Sequence, residues 1–220
     1  MRIAELFAGL VQHFPTTMLT ISLLGGIATG RVAWTVMGAI GAALGFVIFL
    51  LQILTQSNTS IAAWFPSTPD IAVLQACSMA PIATRTRYQY TPSIWAAVTT
   101  FFLIYILQNA VAIYRAPTTK LPIETSPVQH RKSVGVISIL TTLLLLVVLL
   151  FARYRTACET PWGYAIGILL GVAGATVFQG INATGSPLLS DVHGVMMGLQ
   201  PGSLRSHPLA CAPRSSATTA

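Results

Sequence analysis

The chain has 220 residues, of which 54% are apolar and only 8% charged. Soluble domains carry about 25% charged residues, so this composition excludes an ordinary water-facing surface and fits a bilayer, whose tails accept apolar side chains directly. The net charge of +7, from 12 Lys and Arg against 5 Asp and Glu, sits mainly beside the apolar runs and not in a stripe with interleaved aromatics. That placement points to lipid headgroups and away from nucleic acid.

A helical crossing needs about 20 mostly apolar residues, because the hydrocarbon layer is about 30 Å thick and a helix rises about 1.5 Å per residue. At the amino end, Arg2 is followed at once by Glu5, and no small-x-small cleavage site precedes Arg31, so the first apolar segment reads as retained. That segment, 14–30, is the weakest. It is short and carries four threonines and a serine, whose hydroxyls can bond back to their own helix. Leu6, Leu10 and Val11 would supply the missing length. The alternative is an interfacial or re-entrant segment. Only Arg31 separates it from the uncharged span 32–54, which predicts a tight helical hairpin.

A long polar loop with four prolines follows. Its apolar patch from Ile61 to Phe65 is placed at the interface, and Arg85 and Arg87 lead back to the membrane. The next span, 93–114, is uncharged, with Gln108 and Asn109 as its most polar point. They can bond across helices or line a path. Residues 115–133 hold three prolines and four basic residues and read as an extended linker. Span 134–152 contains the strongest apolar run, 143–150. A short connection bearing Arg153 and Arg155 leads to the glycine-rich span 162–181. These five spans make a transmembrane helical domain over 1–181, an all-α bundle with four clear members and one weaker one. Residues 182–220 form a polar tail. In it Leu188, Val192, Val195, Met196 and Leu199 share one helical face, with Ser190 able to cap the start and Pro201-Gly202 ending it, predicting a short amphipathic helix over 188–199 that docks on the membrane or a partner.

Charge does not set the orientation. With five spans, Arg2, Arg85, Arg87, Arg153 and Arg155 lie on one side. Arg31, Arg115, Lys120, Arg131, Lys132, Arg205 and Arg214 lie on the other. Five against seven, or five against five without the distant tail pair, is too even for the positive-inside rule. Six of these, Arg115, Lys120, Arg131, Lys132, Arg153 and Arg155, flank the spans closely enough to hold anionic headgroups.

Glycine spacing is the clearest pattern. Gly163, Gly167 and Gly171 fall four apart, continued by Ala175, and Gly41 and Gly45 form a similar row. Faces without side chains let another helix approach closely. They serve either packing between spans of one chain or self-association between copies. The four clear spans contain no Asp, Glu, Lys, Arg or His, which weighs against proton-coupled transport and intramembrane catalysis. Asp191, His193, His207 and Cys211 could be drawn as a catalytic or metal group, but Asp191 and His193 diverge on a helix and prolines interrupt the rest. Cys77 and Cys158 fall on one side of a five-span chain, so a disulfide is topologically allowed in an oxidising space. Asn58 and Asn182 head glycosylation patterns placed almost against a span.

Cys158-Glu159 at the entry to a glycine-rich span, then Ser190-Asp191 with Gly194-Val195, Pro201-Gly202 and Cys211, resembles a group of small multi-pass membrane proteins of large double-stranded DNA viruses. The likeness covers roughly the last 70 residues, and His193 departs from the aromatic residue expected there. The resemblance implies a virion or internal-membrane component, without catalytic residues. Taken together, the expectation is a non-catalytic structural or interaction component of a membrane assembly, with no cofactor or metal, contacting lipids and protein partners or further copies, and not nucleic acid. A small channel or transporter subunit using Gln108 and Asn109 is the alternative. A membrane-bound enzyme using Asp191, His193, His207 and Cys211 is the second.

Overall fold

Among the described residues, five helices carry the fold: α1 (Ile3–Thr29), α2 (Val32–Ser57), α3 (Ile94–Arg115), α4 (Thr125–Arg155) and α5 (Pro161–Thr184). The computed structural model describes residues 3–57, 92–115, 125–155 and 161–184, and side chains within 9–54, 92–115, 132–155 and 161–182. Four of the helices, α2 to α5, are long and apolar enough to cross a membrane.

The predicted hairpin between α1 and α2 closes through a chain reversal at Gly30, whose φ of 67° is one that residues with a Cβ adopt at a cost. The Gly30 amide donates to the Ile27 carbonyl at 3.2 Å and the Arg31 amide to the Gly26 carbonyl at 2.9 Å. This paired arrangement satisfies the last carbonyls of α1. The Arg31 carbonyl then accepts from Trp34 and Thr35, so α2 starts with no spacer.

α3 is the centre: each of the other four helices packs on it. Its amino end is set by Ser93, whose hydroxyl accepts the Ala96 amide at 3.0 Å, the bond of a helix N-cap. Trp95, Phe101, Phe102 and Tyr105 on α3 are fully buried. Phe178 from α5 tilts against Tyr105 with ring centroids 4.9 Å apart.

The outer surface is apolar. Leu24 on α1, Phe46 on α2, Leu144 and Val147 on α4, and Leu169 on α5 are all exposed. Water would penalise that surface, whereas lipid tails accept it. Among the described residues, the chain is an all-helical bundle built as an integral, multi-pass membrane protein.

Two boundaries differ from expectation. α4 begins at Thr125, so residues 125–133 are helical and not extended. Pro127 falls in the first turn, where its missing N–H has no intrahelical partner to lose. α1 begins at Ile3 and passes through Pro15, well before the expected start at 14.

Candidate functional site

The side-chain hydrogen bonds that join α3 to other helices lie at two levels. The first lies at the amino end of α3. A proline inside a helix cannot donate to the carbonyl four residues back, so Pro15 leaves the Val11 carbonyl of α1 without its helical partner. The Trp95 indole nitrogen of α3 donates to that same carbonyl at 2.9 Å. Val11, Pro15 and Trp95 are all buried. On the same ring, the Arg153 guanidinium of α4 lies 5.2 Å from the centroid, within the reach of a cation–π attraction.

α5 and α2 join at this level too. The Ser93 amide donates to the Gly163 carbonyl at 3.0 Å. The Tyr164 hydroxyl donates to the Leu150 carbonyl of α4 at 2.7 Å. The Gln52 amide nitrogen of α2 donates to the Pro92 carbonyl at 2.6 Å. All five helices are thus tied together around Trp95.

The second level lies toward the carboxyl end of α3. The Asn182 side-chain amide of α5 donates to the Tyr105 hydroxyl at 2.8 Å, and Asn109 is a further side-chain partner of Tyr105. Both asparagines are buried. Gln108 donates to the Thr176 hydroxyl of α5 at 3.2 Å. Of the two residues expected either to bond across helices or to line a path, Gln108 thus bonds across to α5, and Asn109 is buried and bonded to Tyr105 of its own helix. Asn182 heads a glycosylation pattern, yet its side chain is bonded inside the protein.

The glycine rows bring the backbones together. A Cβ on Gly171 would collide with the Ala97 carbonyl oxygen, and one on Gly167 would stand 2.6 Å from the Ser93 carbonyl oxygen. Ala175 in the same row is fully buried. On α2, a Cβ on Gly41 would meet the Phe102 ring at 2.8 Å, whereas one on Gly45 would meet Val98 at an ordinary 3.4 Å. Of the two roles open to these glycines, packing within one chain is the one that this geometry fills. Gly135, not singled out by any row, seats α4 against Tyr114 and the Ala110 carbonyl of α3.

The basic residues divide. Arg115 and Arg155 are exposed at helix ends and Lys132 is exposed where the apolar span of α4 begins, with Arg155 5.9 Å from the Phe151 ring centroid. Arg153 departs from the expected headgroup contact: only 4% of its surface is exposed, because the Trp95 ring takes its guanidinium inward. Lys120 and the side chain of Arg131 lie outside the described residues. So do the docking face of Leu188, Val192, Val195, Met196 and Leu199, the Asp191, His193, His207 and Cys211 set, and Cys77 and Cys158.

The joints at Trp95 and Tyr105 were not singled out by sequence. Their partners stand 84 and 77 residues away, and no local spacing marks such a pair. Pro15 was the available signal, since a proline within a lipid-spanning helix demands a donor from elsewhere. Comparison of the chain with protein-family models, curated proteins and solved structures gives no match.

Proposed function

We propose that the protein is a non-catalytic structural or interaction component of a membrane assembly, held among lipids and protein neighbours. One observation carries this reading: Trp95, Tyr105 and Gln108 of α3 are spent on joining helices, through Trp95–Val11, Tyr105–Asn182 and Gln108–Thr176. Polar groups in a membrane that serve transport or chemistry face a cavity or one another. Here they act as joints of a scaffold, and apolar faces are turned outward for lipid or for neighbouring spans.

The exposed cations Arg115, Lys132 and Arg155 stand at the ends of the apolar spans, where anionic headgroups are met. Exposed Tyr114 and Trp162 are of the type that settles at that depth. Lys120 and Arg131 belong to the same basic connection by sequence. The amphipathic pattern over 188–199 supplies the surface for a protein partner. The setting that we infer, from the resemblance of the last third of the chain, is a virion or internal membrane.

Crosslinking mass spectrometry on the native membrane tests this reading. Reproducible links from the tail or from the exposed face of α4 to a defined protein neighbour or to a second copy are expected. The absence of any stable neighbour would overturn it. Ion flux through reconstituted vesicles that disappears in Asn109→Leu would replace it with a channel.

A further inference from the structure

We infer that α1 is a complete fifth membrane crossing, keyed into the bundle by the Trp95 indole, so that the amino end of the chain and the tail after α5 lie on opposite faces of the bilayer. This goes beyond the functional reading, which holds for either arrangement.

α2 to α5 cross together, so levels on α3 are levels in the membrane. At one end, α1 turns into α2 at Gly30, and a Cβ on Gly26 would strike Thr35 at the start of α2. At the other end, the Val11 carbonyl sits under Trp95, two residues beyond the Ser93 cap. From Val11 to Gly30 a helix rises about 28 Å, close to the hydrocarbon thickness of about 30 Å. Along the way Ser22 is buried against the Gly38 surface of α2. A segment lying in the interface, or entering and returning on one side, cannot meet both ends of the bundle.

The chemistry removes the two objections to such a crossing. The first is the hydroxyl content of α1. Thr16, Thr20 and Thr29 donate to the carbonyls of His13, Thr16 and Gly25 at 2.6–2.9 Å and so meet lipid already satisfied, while the buried Ser22 donates to the Met18 carbonyl at 2.6 Å. The second is Pro15. A freed carbonyl in hydrocarbon is tolerated where a neighbouring helix donates to it, and Trp95 does so.

Two measurements test this. In a background lacking the native cysteines, Ala4→Cys is compared with a chain that keeps Cys211 alone, in native-orientation membranes treated with a membrane-impermeant maleimide. One should label directly and the other only after permeabilisation. Labelling of both from the same face would overturn the crossing. The keying is read from a double-mutant cycle on thermal stability in detergent. Trp95→Phe should lower the melting temperature less in a Pro15→Ala chain than in the parent, because Pro15→Ala returns to Val11 a donor from its own helix. Equal drops in both backgrounds would overturn the role of the indole.

Discussion

α3 and α4 are both apolar spans of one bundle, yet 67% of the first is buried inside the protein and only 17% of the second. α4 is the more hydrophobic of the two and the more exposed, which inverts the order of a water-soluble core. In lipid, apolar side chains lose nothing by facing outward, so hydrophobicity does not draw a helix inward. Polar side chains and small residues do, because they need partners and allow close approach. α3 holds Trp95, Tyr105, Gln108 and Asn109, and Gly41 and Gly45 of α2, Gly135 of α4 and Gly167 and Gly171 of α5 turn toward it.

The comparison breaks most sharply at the α3–α5 seam. Gly171→Leu puts a side chain where the Ala97 carbonyl stands, and backbone cannot move aside cheaply. A loss of about 3 kcal/mol is expected, measured by unfolding in mixed detergent micelles. Tyr105→Phe keeps the ring and removes the acceptor of Asn182, costing about 1 kcal/mol in the same titration. Gly45→Ala separates a needed glycine from a spare one: with Val98 at 3.4 Å, the methyl fits, and the gain in helix propensity leaves stability within about 1 kcal/mol, on the stabilising side. Leu144→Ala, on the exposed face of α4, should change stability by less than about 0.5 kcal/mol. A large loss there would mean that α4 is covered by protein in the micelle, and the contrast with α3 would fall.

Much of the architecture is legible in the sequence, for a physical reason. An uncharged run long enough to span is a one-dimensional signal, and 32–54, 93–114 and 162–181 fall within a few residues of α2, α3 and α5. The signal fails where the helix leaves the hydrocarbon. The first turns of α4 carry His130, Arg131 and Lys132, which look like linker although they continue a helix. It weakens again in α1, where hydroxyls and Pro15 lower the apolar count while local and cross-helix bonds compensate. The glycine rows of α2 and α5 were readable because four-residue spacing marks one face. The joints at Trp95 and Tyr105 were not, since each depends on which helices become neighbours. Arg153 shows the same limit: its place beside a span suggested headgroups, and only the position of Trp95 turns it inward.

The bond between Val11 and Trp95 also bears on the order in which the chain is built. During synthesis α1 emerges with a carbonyl that its own helix cannot serve, and its donor is 84 residues away. Hydrocarbon offers no substitute, and an unsatisfied carbonyl there costs several kcal/mol. Until α3 arrives, water at the membrane surface is the better host for that part of α1. α1, made before α3, is therefore expected to settle only after it, with Trp95 as the late component that completes its insertion.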